Sequence, residues 1–290
     1  MERKDENVIP AGAARSRAVP DDPEQVVDEV RDRYGRIATG QEPGCCGPRQ
    51  VESTVAIGIG YDAGDLKDAP EGANLGLGCG APIPFLGLAP GETVLDLGSG
   101  PGLDAILAAR QVGPTGRVIG VDMTPAMIER ARAAAAGAGL SQVEFREGRL
   151  EDLPVDDASV DAVTSNCAIN LVPDKGAVFR EVARVLRPGG RIVVSDIVLV
   201  GRLPEALERD ILAYVGCIAG ARQRDAYLEM IAAAGLADIE VLRDVDYLAT
   251  SGTCLPEDLR EPMAASGVTA ADLAGKVRSL TVRAVRPARH

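Results

Sequence analysis

Six cysteines and a single histidine set the chemistry open to this 290-residue chain. The cysteines are Cys45, Cys46, Cys79, Cys167, Cys217 and Cys254, and the histidine is His290, the last residue. Without an internal imidazole, the chain alone cannot assemble a histidine metal cluster, a Ser-His-Asp triad or a Cys-His dyad. No two cysteines take the C-x-x-C spacing of a zinc ribbon, so tetrahedral zinc lacks its usual ligands. The opening Met1-Glu2-Arg3-Lys4-Asp5-Glu6 carries no apolar leader region, which predicts a cytoplasmic chain with reduced thiols. Thiols in that setting are small buried hydrophobes, ligands for soft metals or redox groups.

A second constellation follows the first strand-like run. In Asp96-Leu97-Gly98-Ser99-Gly100-Pro101-Gly102 the glycines permit a tight turn and let a ligand lie against bare backbone. A dinucleotide fingerprint counted from Gly98 requires Gly or Ala at position 103, where this chain has Leu103. The pattern D-x-G-x-G-x-G resembles motif I of class I S-adenosylmethionine-dependent methyltransferases. That resemblance implies S-adenosylmethionine as cofactor, held by Asp96, Gly98, Ser99 and Gly100. It gives Asp122, with Met123 beside it at the end of the second strand, to the ribose hydroxyls. Leu150 and Glu151 fall in the adenine-binding segment after the third strand. Asn166 ends the fourth strand, where it either caps the strand or touches the cofactor or methyl acceptor.

The elements that must position these residues can be read from periodicity. Asp22-Pro23 opens a helix carrying Val26, Val27, Val30 and Tyr34 at helical spacing and ending near Gly35. Residues 36–72, with Cys45-Cys46 among Gly and Pro, read as a loop-rich cover. From residue 90, apolar runs alternate with helical segments: strands Thr93–Leu97, Arg117–Met123, Val143–Arg146, Val160–Ser165 and Arg191–Ile197. Helices Leu103–Val112, 125–136 and Asp174–Leu186 join them. That is an α/β chain with a doubly wound, mostly parallel sheet covered on both faces. Beyond residue 200 come candidate helices Leu203–Val215 and Arg222–Ala234, a strand at Ile239–Tyr247, and an alternating final segment that could close the sheet edge in antiparallel fashion. The division expected is 1–72 as tail, helix and cysteine loop, 73–200 as cofactor domain, and 201–290 as a smaller α+β substrate region.

Composition excludes other classes. A net charge of −12 lacks the positive footprint of nucleic-acid binding, and 3% aromatics without Trp cannot supply a row of base-stacking platforms. No apolar run approaches the roughly 18 residues of a membrane span.

The cysteine contexts carry a sharper signal. Gly78-Cys79-Gly80, Asp96–Gly100, Gly120-Val121-Asp122-Met123-Thr124, and Ser165-Asn166-Cys167 through Asn170-Leu171-Val172-Pro173-Asp174-Lys175 resemble the arsenite methyltransferases. The similarity runs from about Tyr34 to about Ala219. It implies that Cys79, Cys167 and Cys217 bind trivalent arsenic, a soft centre that prefers thiolates. A further redox thiol of that family matches the Cys45-Cys46 pair, with the spacing favouring Cys45. It also implies a cytoplasmic role in arsenic detoxification, arsenite and methylated arsenicals as substrates, and a glutathione- or thioredoxin-type reductant as partner. Two departures stand out: Gly76-Leu77 replaces the aromatic residues of eukaryotic members before Gly-Cys-Gly, and the Ser251–Gly275 segment with Cys254 matches nothing in the family pattern. Two alternatives use the same residues: a methyltransferase for another small molecule, and a non-enzymatic protein that binds thiophilic metals.

Overall fold

A computed structural model describes residues 18–43, 52–250 and 257–288. Cys45, Cys46 and Cys254 lie outside the described residues, as do the expectations attached to them. One sheet organises the chain, built from β1 (Thr93–Leu97), β2 (Arg117–Asp122), β3 (Val143–Glu147), β4 (Val160–Asn166), β5 (Leu186–Leu199), β6 (Arg222–Gln223), β7 (Ala237–Asp246) and β8 (Val277–Val285). The order is β3-β2-β1-β4-β5-β8-β7, with the short β6 pairing to β5. Strands β1 to β5 run parallel, whereas β8 is antiparallel to both neighbours.

Alternation along the strands sends side chains into two cores. Leu95, Leu97, Ile119 and Val121 face the layer holding Phe179 and Val182, from the helix Lys175–Val185. Val94 and Val118 face the opposite layer, with Ala105 and Leu107 from the helix Leu103–Val112. Asp96, two residues beyond Val94, therefore shares the face of that second helix. On the first face Phe179 and Tyr227 meet edge to face, their ring centroids 5.5 Å apart.

The structure revises four readings. The first helix, Pro23–Ala38, runs through Gly35, because Ile37 and Ala38 beyond it are buried. Asp22 caps it by accepting from Glu24 N–H. The segment read as a loop-rich cover holds the helices Glu52–Ile59 and Ala63–Lys67, the first burying Val55, Ala56 and Ile59. The long helix expected over Leu203–Val215 is broken into Glu205–Glu208 and Ile211–Val215, and Asp210 between them caps the second. The last strand is antiparallel but internal: β8 inserts between β5 and β7, leaving β7 at the edge. The described part of the C-terminal region thus contributes three strands, β6, β7 and β8, to the same sheet that carries the glycine loop. Among the described residues no helix is long and apolar enough to cross a membrane.

Candidate active site

The glycine loop turns sharply at the carboxyl end of β1. Gly98 has φ +65°, and a Cβ there would stand 2.2 Å from Ala168 Cβ. Gly100 has φ +50° and faces open space, a position where a ligand can approach the backbone. The loop hangs on β2, since Gly98 and Ser99 N–H both donate to the Val121 carbonyl, at 2.8 and 3.0 Å. Asp122 fixes its tip by accepting from Gly100 N–H at 2.9 Å and from Thr124 N–H at 2.8 Å. Each carboxylate oxygen thereby takes one backbone donor, the Thr124 side chain is a further partner, and acceptor capacity remains.

This loop forms one wall of a cavity that opens to solvent. Asp96, Gly98, Ser99, Gly100, Asp122, Met123, Leu150, Glu151 and Asn166, all expected from sequence to meet the cofactor, line it together. The opposite wall includes Val27, Val30, Tyr34 and Ile37 of the first helix. That helix is held over the cavity by Glu24, which accepts from Arg149 at 2.8 Å, and by the Tyr34 hydroxyl donating to Val215 O. Arg149 also donates to Glu151.

Three carboxyls at this wall have raised pKa values. Burial raises Asp96 well above the usual range, the charges of Asp104 and Asp122 add to the rise, and its Oδ2 has no hydrogen-bond partner among the described residues. Burial pushes Asp104 up to about 6, against the hydrogen bonds from Tyr61 and Asn166. Desolvation also raises Asp122, partly offset by its backbone donors. An orphaned buried carboxylate oxygen, a glycine cradle with open space and a strand-end acid with spare acceptor capacity fit a cationic, hydroxyl-bearing ligand such as S-adenosylmethionine.

Against this cavity three chain segments bring three thiols into one buried cluster. Cys79 precedes the short helix Ile83–Leu86, Cys167 follows β4, and Cys217 follows the helix Ile211–Val215. All three are thiols buried in one apolar cluster with Leu171, Tyr214 and Tyr247. The Cys217 thiol donates to Cys167 O at 3.1 Å and the Cys79 thiol to Ser195 O at 3.6 Å. The sulfurs of Cys79 and Cys167 and a carboxylate oxygen of Asp196 lie within 4.8 Å of one another. Cys167 and Cys217 also line the cavity that holds the glycine loop.

Backbone strain singles out the same pair. Cys167 (φ 58°) and Cys217 (φ 66°) adopt the left-handed region, as do Ala158 and Asp238. Such conformations cost about 1–3 kcal/mol for a non-glycine residue and persist where the surroundings over-determine them. The hydrogen bond with Cys217 is the largest influence on the Cys167 thiol and lowers its pKa. The hydrogen bond with Cys79 and burial outweigh it, leaving the thiol well above its ordinary value.

Behind the thiols lies a polar group that sequence reasoning missed. Asp196, fully buried, is pushed up to about 7 by burial, and Tyr227 O–H donates to its Oδ2 at 2.9 Å. Lys175, lowered to about 8 by burial, donates to the carbonyls of Asn170 and Val172. Tyr61 and Asp104 were missed as well. The one available signal was Asp104 standing alone as an acid in the apolar helix LDAILAARQV.

A methyltransferase domain model matches residues 88–235. An arsenite methyltransferase of Halobacterium salinarum is 42% identical over 281 residues, covering 92% of this chain and 68% of the relative. Another from Aquipseudomonas alcaligenes is 39% identical over 182 residues, covering 60% of this chain and 52% of the relative. The chain thus spans about two thirds of the first relative's length and half of the second's. Among solved structures, an arsenic(III) S-adenosylmethionine methyltransferase from Chlamydomonas reinhardtii superposes with a TM-score of 0.58 at 32% identity. It covers 80% of this chain and 73% of its own.

Proposed function

This chain belongs to the arsenite methyltransferases, within the S-adenosylmethionine-dependent methyltransferases, and on that premise we propose that it methylates trivalent arsenic held by Cys79, Cys167 and Cys217. The observation that carries this reading is the convergence of three buried thiols in one cluster, two of which, Cys167 and Cys217, line the cavity with the glycine loop. Capture is balanced: three thiols and As(OH)₃ give a trithiolate and three waters, so the protonated state favoured at Cys167 supplies its proton to a leaving hydroxide. Bound by three sulfurs, arsenic keeps its lone pair, and the lone pair carries no proton. Transfer to it needs no general base, in keeping with the absence of an internal histidine.

S-adenosylmethionine, when bound, supplies an electrophilic sulfonium methyl. The residues proposed to hold it are Asp96, Gly98, Ser99, Gly100, Asp122, Met123, Leu150 and Glu151. The chain's own contribution is position: the strained Cys167 and Cys217 backbones and the anchoring of the glycine loop on Val121 and Asp122 fix acceptor and donor sites before either is filled. Such alignment supplies roughly 7–11 kcal/mol of barrier reduction.

Methylation raises arsenic formally to the pentavalent state. Two thiols return two electrons and become a disulfide, which a glutathione- or thioredoxin-type reductant reopens. Cys45 and Cys46 are proposed for this step, with Cys79 as the bridging partner, because adjacent cysteines meet disulfide geometry poorly. The reading extends to a cytoplasmic role in arsenic detoxification, where such reductants are supplied. Incubation with arsenite, a thiol and S-adenosylmethionine, followed by arsenic speciation, tests it. Methylated arsenicals are expected, and recovery of arsenite alone overturns the proposal.

A further inference from the structure

Asn166 was expected from its strand-end position to touch the cofactor or the acceptor. Its side chain is committed elsewhere. Oδ1 accepts from Cys79 N–H at 3.1 Å and from Gly80 N–H at 3.3 Å. Nδ2 donates to Gly80 O at 2.7 Å and to the Tyr61 hydroxyl at 2.8 Å, with Asp104 Oδ2 a further 3.4 Å contact. Two lone pairs and two hydrogens are the whole capacity of a carboxamide, so the protein uses all of it. The reverse placement of O and N would set N–H against N–H at Cys79, which fixes the orientation.

Of the glycines around Cys79, Gly78 follows from this contact and Gly80 from one with β5. A Cβ on Gly78 would lie 2.9 Å from Asn166 Nδ2, and one on Gly80 would lie 2.6 Å from Ser195 Cβ. Only glycine at both places lets the Cys79 loop close onto the carboxamide from one side and onto β5 from the other. Asn166 is also the residue before Cys167, whose own N–H is tied to Ser195 O at 2.8 Å. One side chain therefore spans two thiols that are 88 positions apart in sequence. Its far end continues toward the cavity: Tyr61 O–H donates to Asp104 Oδ1 at 2.8 Å, and both residues line the cavity wall. Among the described residues, no basic side chain forms an ion pair with Asp96, Asp104 or Asp122.

We propose that Asn166 is the positioning residue that sets Cys79 against Cys167, and that through Tyr61 and Asp104 it couples occupation of the cavity by a cationic ligand to arsenite capture. The inference rests on the proposed function above. A cation in the cavity draws on the Asp104 carboxylate, holds the Asp104–Tyr61–Asn166 chain in one arrangement and so fixes the Cys79 loop. Binding linkage is reciprocal, so each ligand tightens the other by the same factor.

The test measures arsenite binding to the full chain by calorimetry, with and without saturating sinefungin, a non-reactive analogue carrying an amine in place of the sulfonium. Wild type is expected to bind arsenite at least about 5-fold more tightly with sinefungin present, the low end of typical coupling. Tyr61→Phe, which cuts the chain between Asp104 and Asn166, is expected to reduce that factor to near 1. Asn166→Ala is expected to lose the coupling and to weaken arsenite, which needs three sulfurs. Phenylarsine oxide, which needs two, is still expected to bind across Cys167 and Cys217. Sinefungin affinity is read in the same titrations, so a variant that has merely unfolded loses every ligand together. Coupling that is absent in wild type, or that survives in both variants, overturns the inference while leaving the proposed function standing. Failure of wild type to bind arsenite at all overturns both.

Discussion

Removing the Asp122 carboxylate should separate the cofactor site from the thiol site. In the structure it makes two backbone hydrogen bonds, to Gly100 N–H at 2.9 Å and to Thr124 N–H at 2.8 Å, and its remaining acceptor sites are those proposed for the ribose hydroxyls. Asp122→Ala leaves these donors to water at the cavity wall and deprives the ligand of its acceptor. Leaving buried polar partners unmatched costs about 1–3 kcal/mol, which is roughly a 5- to 150-fold loss in affinity. The loop keeps its anchors on Val121 O, so the fold should survive and the loss should be confined to the ligand. Calorimetric titration with S-adenosylhomocysteine, which cannot react, measures the change directly. Arsenite binding without any nucleoside should stay close to wild type, because the hydrogen-bond partners of Asp122 are Gly100 and Thr124 and not Cys79, Cys167 or Cys217. An S-adenosylhomocysteine affinity within twofold of wild type would refute the ribose assignment and with it the orientation of the ligand in the cavity.

Replacing either strained thiol, as Cys167→Ser or Cys217→Ser, should abolish arsenite methylation while calorimetry still records nucleoside binding, because a hard, protonated hydroxyl does not replace a thiolate on a soft centre. Substantial turnover by both variants would make these cysteines core residues. Asp104 binds its proton near pH 6 in the fold and near 4 when unfolded. The folded state therefore holds the extra proton between those values, and the contribution of this carboxyl to stability is largest below about 4 and declines as pH rises to 6. Asp104→Asn removes that decline, so its stability relative to wild type should rise across this window by up to about 3 kcal/mol in denaturant unfolding; parallel curves would count against a buried, desolvated carboxyl. The Cys45→Ser, Cys46→Ser double variant should stop turning over arsenite, and mass spectrometry of quenched wild type should find a Cys79-linked disulfide that the variant lacks. Equal turnover with no trapped bridge would leave the pair outside the redox step.

Much of the sheet was legible because its strands repeat one physical rule. TVLDL, RVIGVD and VDAVTSN are apolar runs buried on both faces, and the helices Leu103–Val112 and Pro125–Gly137 have a proline or glycine at their ends, whereas Pro188-Gly189-Gly190, read as a helix stop, lies inside β5. The glycine loop was legible for a related reason: a turn at positive φ that leaves room for a ligand accepts few residues but glycine. The segments misjudged were those whose local signals tertiary packing overrides. Gly35 resembles a helix stop, yet burial of Ile37 and Ala38 carries the helix through it. ESTVAIGI sits among glycines and prolines, yet its buried Val55, Ala56 and Ile59 make it a helix against the core.

The polar framework of the site was the least legible part, because nothing in local sequence pairs Tyr61 with Asp104 or Asp196 with Tyr227. Asp104 occupies an apolar helix face that a hydrophobe would fill at no electrostatic cost, and its burial is tolerable because Tyr61 and Asn166 supply donors. Asp196 lies in the middle of the apolar RIVVSDI run, where it becomes intelligible only once Tyr227 and the two sulfurs are in place. Those contacts depend on a strand order that brings residues 61, 79, 104, 166 and 196 to one end of the sheet. Residue type pointed to thiols suited to a soft centre. Cys79 is flanked by two glycines because a Cβ on Gly78 would meet the Asn166 carboxamide and one on Gly80 would meet Ser195 of β5, and that is a fact of the fold.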